Sequence, residues 1–470
     1  MKSGTTFITH KSMVKLLIVM LAGIMISLMT TVDPAYAACG GTSNVANETE
    51  LNAAIADFNS QTAACSYIIA LTADIALTAD TTTINNATAN VDLTIEGSGF
   101  TVDGQQMFGV RPFTIAEETD VVINDITLTG GSTGGNQDPG GAIWNLGNLT
   151  LNQTLLDGNR TEEKGGAIFN GNFTVPYPNA ILTINDSILS NNEACTPDGF
   201  GPGICTYGEG GAIANIASTL IINRSTLHNN FAGEQGDGGG GIHNDNGTVT
   251  ISYSTLRDNI AERQGGAIRT AAGTVTIDHS TVSGNSTQPT RSSSQGLGGA
   301  ILSDGGTLNI SNSTFSNNAG VAQGGFLWNA FGAQATIINS TIVNNIADDG
   351  GAIYNTNNNS RVTLRNTILS GNSSNDTVSP EGLEIFNNAP NPDRITVDAN
   401  NLLSDDSKTT AQAFRNVILG SSDIDASSDG TQPTALSGII DTTLQNNGGD
   451  TNTYDLTSGS PALDAGDNSI

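Results

Sequence analysis

An eleven-residue unit recurs along this chain and constrains its fold more than any other feature. From Leu149 it reads LTLNQTLLDGN, and it returns as LTINDSILSNN at Leu182, LIINRSTLHNN at Leu220 and VTISYSTLRDN at Val249. VTIDHSTVSGN at Val275, LNISNSTFSNN at Leu308, ATIINSTIVNN at Ala335 and VTLRNTILSGN at Val362 keep the same columns. Weaker copies begin at Leu93, Val121 and Ile395, so about eleven units cover residues 93–405. The first and third positions are mostly apolar, which is strand periodicity and not helical periodicity. One such unit cannot bury its apolar face alone, so neighbours have to stack into a continuous core. The clear copies start 26 to 38 residues apart, too close for four-stranded propeller blades. The expected fold is therefore all-β, a single parallel β-helix whose coils lie roughly 4.8 Å apart. About eleven coils would give a core on the order of 50 Å long at that spacing.

Two further columns support stacking. The eleventh position is Asn159, Asn192, Asn230, Asn259, Asn285, Asn318, Asn345 and Asn372, Asn in every clear copy. Stacked amides can each donate to one neighbour and accept from the next, so this column is expected to be a structural ladder. The sixth position is Ser or Thr throughout and is expected to be a second, hydroxyl ladder. Neither column is a set of nucleophiles. Between units, Gly-Gly-Ala-Ile stands at Gly140, Gly165, Gly210, Gly265, Gly298 and Gly350, with variants at Gly239 and Gly324. Paired glycines fit a corner that needs positive φ or close backbone approach.

Charge narrows the partners. The chain carries 45 Asp plus Glu against 16 Lys plus Arg, a formal charge of −29. Without clustered cations, nucleic acid and anionic membrane surfaces are excluded as partners. Residues 1–37 read as a secretory signal peptide: Lys2, Lys11 and Lys15, an uncharged apolar run at 16–32, then Ala35-Tyr36-Ala37. That run is nearly long enough to act instead as an uncleaved anchor; after cleavage, no membrane-spanning segment is expected in the mature chain. Cys39, Cys65, Cys195 and Cys205 all lie beyond the signal, which suits disulfides in an oxidising compartment. Three pairings are open, and proximity in the chain favours Cys39 with Cys65 and Cys195 with Cys205.

The motifs resemble the GGA[ILV] and FxxN repeats of the chlamydial polymorphic outer membrane proteins. The second motif here is Leu156 to Asn159, Leu227 to Asn230, Leu256 to Asn259 and Phe315 to Asn318. That resemblance implies a right-handed β-helix of the pectin-lyase-like class, secreted or displayed at the cell surface in association with the outer membrane, with an adhesin role. The segments LNAAIADFN with LTIEGSGFTVDG, and LQNNGGDTNTYDLTSGSPALDAG, resemble the flanks of bacterial choice-of-anchor Q surface proteins. Open strand edges at the ends of a stack need covering. Residues 38–92 are expected to form an N-terminal cap, with Asn47 starting a helix that carries Leu51, Ile55 and Phe58. Residues 406–470 are expected to form the C-terminal cap.

Connections between the Asn column and the glycine corner lengthen to 17 residues at 193–209 and 12 at 286–297. Their edge carries Glu162, Glu163, Asp198, Glu209, Glu234, Asp237, Glu262, Asp348 and Asp349. Such oxygens could hold Ca²⁺ or simply keep the protein soluble; no other cofactor or metal is indicated. The residue after each Gly-Gly-Ala-Ile faces outward if the Ile faces inward. Trp144, Phe169, His243, Trp328 and Tyr354 would then make an exposed stripe suited to glycan stacking or protein docking, unless the long loops fold over it. An enzyme needs its groups at contact distance. In the fifth column Asp186 and Arg224 could pair, but His279 is three coils from Asp186, roughly 14 Å. His228 and Arg257 are adjacent in the ninth column, with Asp157 two coils before His228. No catalytic residue is assigned. The expected function is adhesin-like binding of a glycan, host or matrix surface by a monomeric rod. A polysaccharide lyase or hydrolase on the same fold is the alternative.

Overall fold

The computed structural model describes residues 41–135, 138–173, 180–195, 208–233, 238–289, 296–356, 359–375, 382–397 and 399–468. The signal segment 1–37, Cys39 and Cys205 lie outside them, as do Asp198, Glu234 and Asp237. The described chain is a single parallel β-helix. Its first sheet has thirteen strands, from Thr42–Val45 to Ile395–Val397, and all but two of them are the repeated units. Equivalent letters pair across coils, Leu149 with Leu182, Leu182 with Leu220 and Leu220 with Val249. A second thirteen-stranded sheet holds the seventh to ninth positions, and a third, eleven-stranded sheet holds the residues after each glycine corner. Among the described residues no helix is long and apolar enough to cross a membrane.

Parallel pairing also reaches past residues 93–405. Thr42–Val45 and Cys65–Leu71 join the first sheet, and Phe414–Arg415 and Ile424–Asp425 end the third and second. Asn47 starts helix Glu48–Asn59 by accepting the Glu50 amide, and the helix buries Leu51, Ala54, Ile55 and Phe58. At the other end, residues 436–467 turn back as a strap along the outer face of the second sheet. Ile440 pairs antiparallel with Leu456 and Gln445 with Thr453, and Ile439 and Ile440 pack on Val343, Leu402 and Ala426.

The glycine corner is fixed by two different clashes. The first glycine of each pair has φ between +60° and +81°, and a Cβ there would lie 2.1–2.4 Å from the carbonyl oxygen three residues on. From Gly141 to Gly325, a Cβ on the second would lie 2.0–2.3 Å from the carbonyl oxygen of its counterpart in the next coil. Only glycine fits either place. The Ala and Ile that follow point into the core, both fully buried in every exact copy of the motif.

The eight ladder asparagines are fully buried and fully satisfied. Each Nδ2 donates to the next Oδ1 at 2.8–3.1 Å. Each receiving Oδ1 also accepts the previous asparagine's backbone N–H at 2.9–3.1 Å. The amides therefore all point their N–H groups toward the C-terminal end, and the last one needs an acceptor. Glu384, fully buried, supplies it: its Oε2 takes the Asn372 Nδ2 at 2.8 Å. The hydroxyl file ends in the same way, Thr367 donating its N–H to Asn401 and Asn401 donating to the Asp423 carboxylate at 2.9 Å. Lys408 sits 3.2 Å from Glu384 and 2.8 Å from Asp405.

Two outcomes follow. Asn259→Ala strips the acceptor from two Asn230 donors in a dry interior, and urea unfolding should show a loss of about 3 kcal/mol. Burial pushes the Glu384 carboxyl from 4.5 up to about 7, despite Lys408 beside it. A raised carboxyl favours the folded chain most fully below its unfolded value, and that contribution fades as pH rises through about 7. Hydrogen exchange at 385–387 should therefore quicken from about pH 6 to 8 more than bulk base catalysis explains, and Glu384→Gln should flatten that excess.

Candidate functional site

Each coil makes two left-handed corners in its repeated unit. The tenth position, just before the Asn ladder, is Gly158, Asn191, Asn229, Asp258, Gly284, Asn317, Asn344 and Gly371, all with positive φ. These are the residues that tolerate that conformation. The fifth position has positive φ as well: Gln153, Asp186, Arg224, Tyr253, His279, Asn312, Asn339 and Asn366. Its last three members obey the same rule. So does Asp186; Gln153, Arg224, Tyr253 and His279 do not, and Arg, Tyr or His in this conformation costs about 1–2 kcal/mol each. No fold requirement explains them, because the tenth column builds the same kind of corner with Gly, Asn and Asp.

Those residues form an exposed ridge. Arg224 grips Asp186 of the preceding coil with two bonds, Nε to Oδ1 and Nη2 to Oδ2, both 2.7 Å. This grip holds the Asp186 carboxyl below the usual carboxylate range. Tyr253 and His279 stack with ring centroids 4.9 Å apart and planes at 22°. Asp278 Oδ2 steadies the imidazole at 2.7 Å from Nδ1. Tyr253 keeps 40% of its surface exposed and the other three side chains keep 43–52%. Four successive coils thus present a forked acid–base pair and a ring platform to solvent, along roughly 14 Å of the rod. Beside the ridge, His228 lies between Ser190 and Arg257 in register. Burial, then the Arg257 charge, holds its pKa below the ordinary imidazole value. Asp157 accepts from Ser190 Oγ and Asn191 Nδ2 at 2.6 and 2.7 Å.

The stripe after the glycine corner is in register but does not form an open surface. Phe169, His243 and Tyr354 keep 0%, 1% and 6% exposure, while Trp144 and Trp328 are half-buried. The chain leading into and out of the corner roofs them. Gln323 accepts the Trp328 indole N–H at 3.1 Å, Gly171 O accepts that of Trp144 at 3.1 Å, and Phe173 stacks on Phe169 at 4.8 Å. Glu209 lies 3.2 Å from His243 Nε2 and pairs with Lys164. Burial holds His243 neutral, its pKa lowered to about 3. Glu209 is held ionised against its own burial by the Lys164 and Arg269 charges. Phe169, His243 and Tyr354 are packed away, and the expectation that they belong to an exposed stripe is corrected: the neighbouring chain folds over them, while Trp144 and Trp328 stay half-buried.

On the acidic edge, Glu262 is fully buried and Glu209 is committed as above. Among the described residues no three or more His, Cys, Asp or Glu side chains converge on a metal position. Cys65 and Cys195 are buried at 2% and 3%.

One further column lies beyond those expected from the sequence. The residue two beyond each Gly-Gly-Ala-Ile is Asn145, Asn170, Asn215 or Asn244, then Thr270, Ser303, Asn329 and Asn355. Asn145, Asn170 and Asn215 donate onward at 2.7–2.8 Å, as Asn329 does to Asn355 at 2.9 Å. The signal was present, as GGAIWN, GGAIFN and GGAIYN.

If the ridge residues are kept for contact and not for folding, Tyr253→Asn and His279→Asn should each stabilise the chain by about 1 kcal/mol in urea unfolding. Phe169→Ala, emptying a buried site, should destabilise it by about 3 kcal/mol.

Residues 339–356 match the model of the Chlamydia polymorphic membrane protein (Chlamydia_PMP) repeat. That stretch runs from the left-handed corner at Asn339 through the ladder residue Asn345 to the glycine corner Gly350-Gly351-Ala352-Ile353, so it holds both motifs of one coil. No curated protein and no solved structure matches the chain. By repeat and by architecture, then, the chain resembles the polymorphic membrane proteins, carrying their repeat on a parallel β-helix.

Proposed function

We propose that this chain is an exported, surface-displayed β-helical rod that holds a glycan, host or matrix partner against the ridge Asp186–Arg224–Tyr253–His279. One observation carries the reading: four adjacent fifth-column corners bear exposed, chemically rich side chains, and three of them, Arg224, Tyr253 and His279, hold a left-handed conformation that the tenth column gives to Gly, Asn and Asp. A forked guanidinium–carboxylate pair offers donors and acceptors together, and a stacked ring pair offers a flat apolar face. The leader at 1–37 and the likeness of the repeat to an outer-surface family support display. Export would also place Cys39 with Cys65 and Cys195 with Cys205 as disulfides, each pair having one buried member.

The test is attachment of the labelled full chain to cells and to a glycan array, with and without Ca²⁺. Arg224→Ala combined with Tyr253→Ala should cut attachment at least about tenfold, the weight of a few contact residues in a binding surface. Ile418→Ala, an exposed apolar side chain elsewhere on the rod, should leave it unchanged. Undiminished attachment by the double variant rejects the ridge.

A further inference from the structure

The C-terminal end of the Asn ladder holds more than a cap requires. Glu384 ends the ladder through Oε2, which accepts the Asn372 side-chain amide at 2.8 Å. Its other oxygen, Oε1, faces Lys408 Nζ at 3.2 Å. The same Nζ donates to Asp405 Oδ2 at 2.8 Å. One amine thus stands between two carboxyls, with the Glu384, Asp405 and Lys408 side chains only 0%, 5% and 9% exposed. Two carboxylates and one ammonium would leave net negative charge in this interior, a costly arrangement. Burial raises the Glu384 carboxyl to about 7, so near neutral pH it can both take and give a proton. Against their own burial, the carboxyls keep Lys408 protonated and Lys408 keeps Asp405 ionised. The amine therefore needs a proton acceptor, and Glu384 is placed to be one.

The remaining contacts suit acyl transfer. Lys408 lies three residues beyond Asp405 in a tight turn, its own N–H donating to the Asp405 carbonyl at 3.3 Å. Bonded to Oδ2, Nζ is held one C–O bond away from Cγ, the closeness that such a step needs. The Ser407 and Gly371 N–H groups donate to Oδ1 at 2.9 Å and to Oδ2 at 3.0 Å. Donors so placed stabilise charge on oxygen when a carboxyl carbon turns tetrahedral. A cleft lined by Gly371, Leu383, Asp405, Lys408 and Leu436 runs beside the turn and gives released water a way out.

We propose that Lys408 and Asp405 join in an intramolecular amide, with Glu384 as the proton relay. Nζ passes a proton to Glu384 Oε1 and adds to Asp405 Cγ. The Cγ–Oδ2 bond then breaks, and the two protons that Nζ sheds, one by way of Glu384, leave with that oxygen as water. An ammonium and a carboxylate become a neutral amide, so charge balances. Nothing is oxidised or reduced, and no co-reactant is consumed. The link replaces a buried ion pair by a neutral group and fixes the turn beneath the ladder's end. It stands independently of the ridge.

Mass spectrometry of the full chain tests this. With its cysteines reduced, the folded and then denatured chain should weigh one water less than its sequence requires. Trypsin should leave Lys408 uncut, giving residues 395–415 as one peptide, light by one water, in which no fragment separates Asp405 from Lys408. Lys408→Arg should restore the full mass. Chain recovered in urea should be open and should close on refolding, and Glu384→Gln should slow that closure at least about a hundredfold. Closure removes a charge that lowers the Glu384 carboxyl, so the exchange window at 385–387 given above belongs to the open turn and to Lys408→Arg, and moves to higher pH in the linked chain. Full mass with ordinary cleavage after Lys408 in the wild-type chain overturns the proposal, whether or not the variants fold. So does a chain light by one water but still cut there, the mark of a succinimide at Asp405. Closure as fast in urea, or unslowed in a folded Glu384→Gln chain, overturns it as well.

Discussion

Burying side-chain amides in one direction governs this structure. A solenoid core made only of Leu and Ile would fix depth but not register, since neighbouring coils could slip while keeping apolar contact. The asparagines remove that freedom, because each amide is satisfied only when its counterpart lies directly above and below. A second such file through Asn145, Asn170 and Asn215 pins another corner. Directionality then sets the ends. The ladder presents donors at its C-terminal face, and the chain meets them with carboxylates, Glu384 and Asp423. The C-terminal cap is thus an electrostatic requirement of the ladder as well as a cover for strand edges.

With register fixed, every column becomes a surface of one kind, and the backbone conformation of that column selects its residues. The tenth column shows what selection for folding alone produces. The fifth shows departure from it in a block of consecutive coils, returning to Asn from Asn312 onward. Strained residues concentrate where function holds them, and Arg224, Tyr253 and His279 stand consecutively along one exposed line. The strap follows the same division. It covers the coils whose outward residues are small and stops at the coil where the stacked rings begin.

Much of this was legible in the chain. Period-two alternation, the invariant eleventh Asn and the glycine corner specify a stacked parallel fold because each is a requirement of neighbours one coil apart, and such requirements repeat in the sequence. The hydroxyl file was legible for the same reason, and the third-sheet asparagines could have been read from GGAIWN and GGAIFN. The outward stripe was misjudged because alternation states which side of a strand a residue occupies, and says nothing of what a connection does afterwards. Whether Phe169 meets solvent depends on Phe173 and the turn behind it, a matter of chain path and not of period.

The sequence by itself determined the coil, its register and its two motifs, since these are short-range rules applied repeatedly. Only the tertiary structure decided which columns reach solvent, where the strap lies and which acids end the ladders. Glu384 meets Asn372, and Asn452 meets Thr281, through contacts that occur once. A contact made once leaves no period to read, so its physical meaning emerges only when the folded chain brings its partners together.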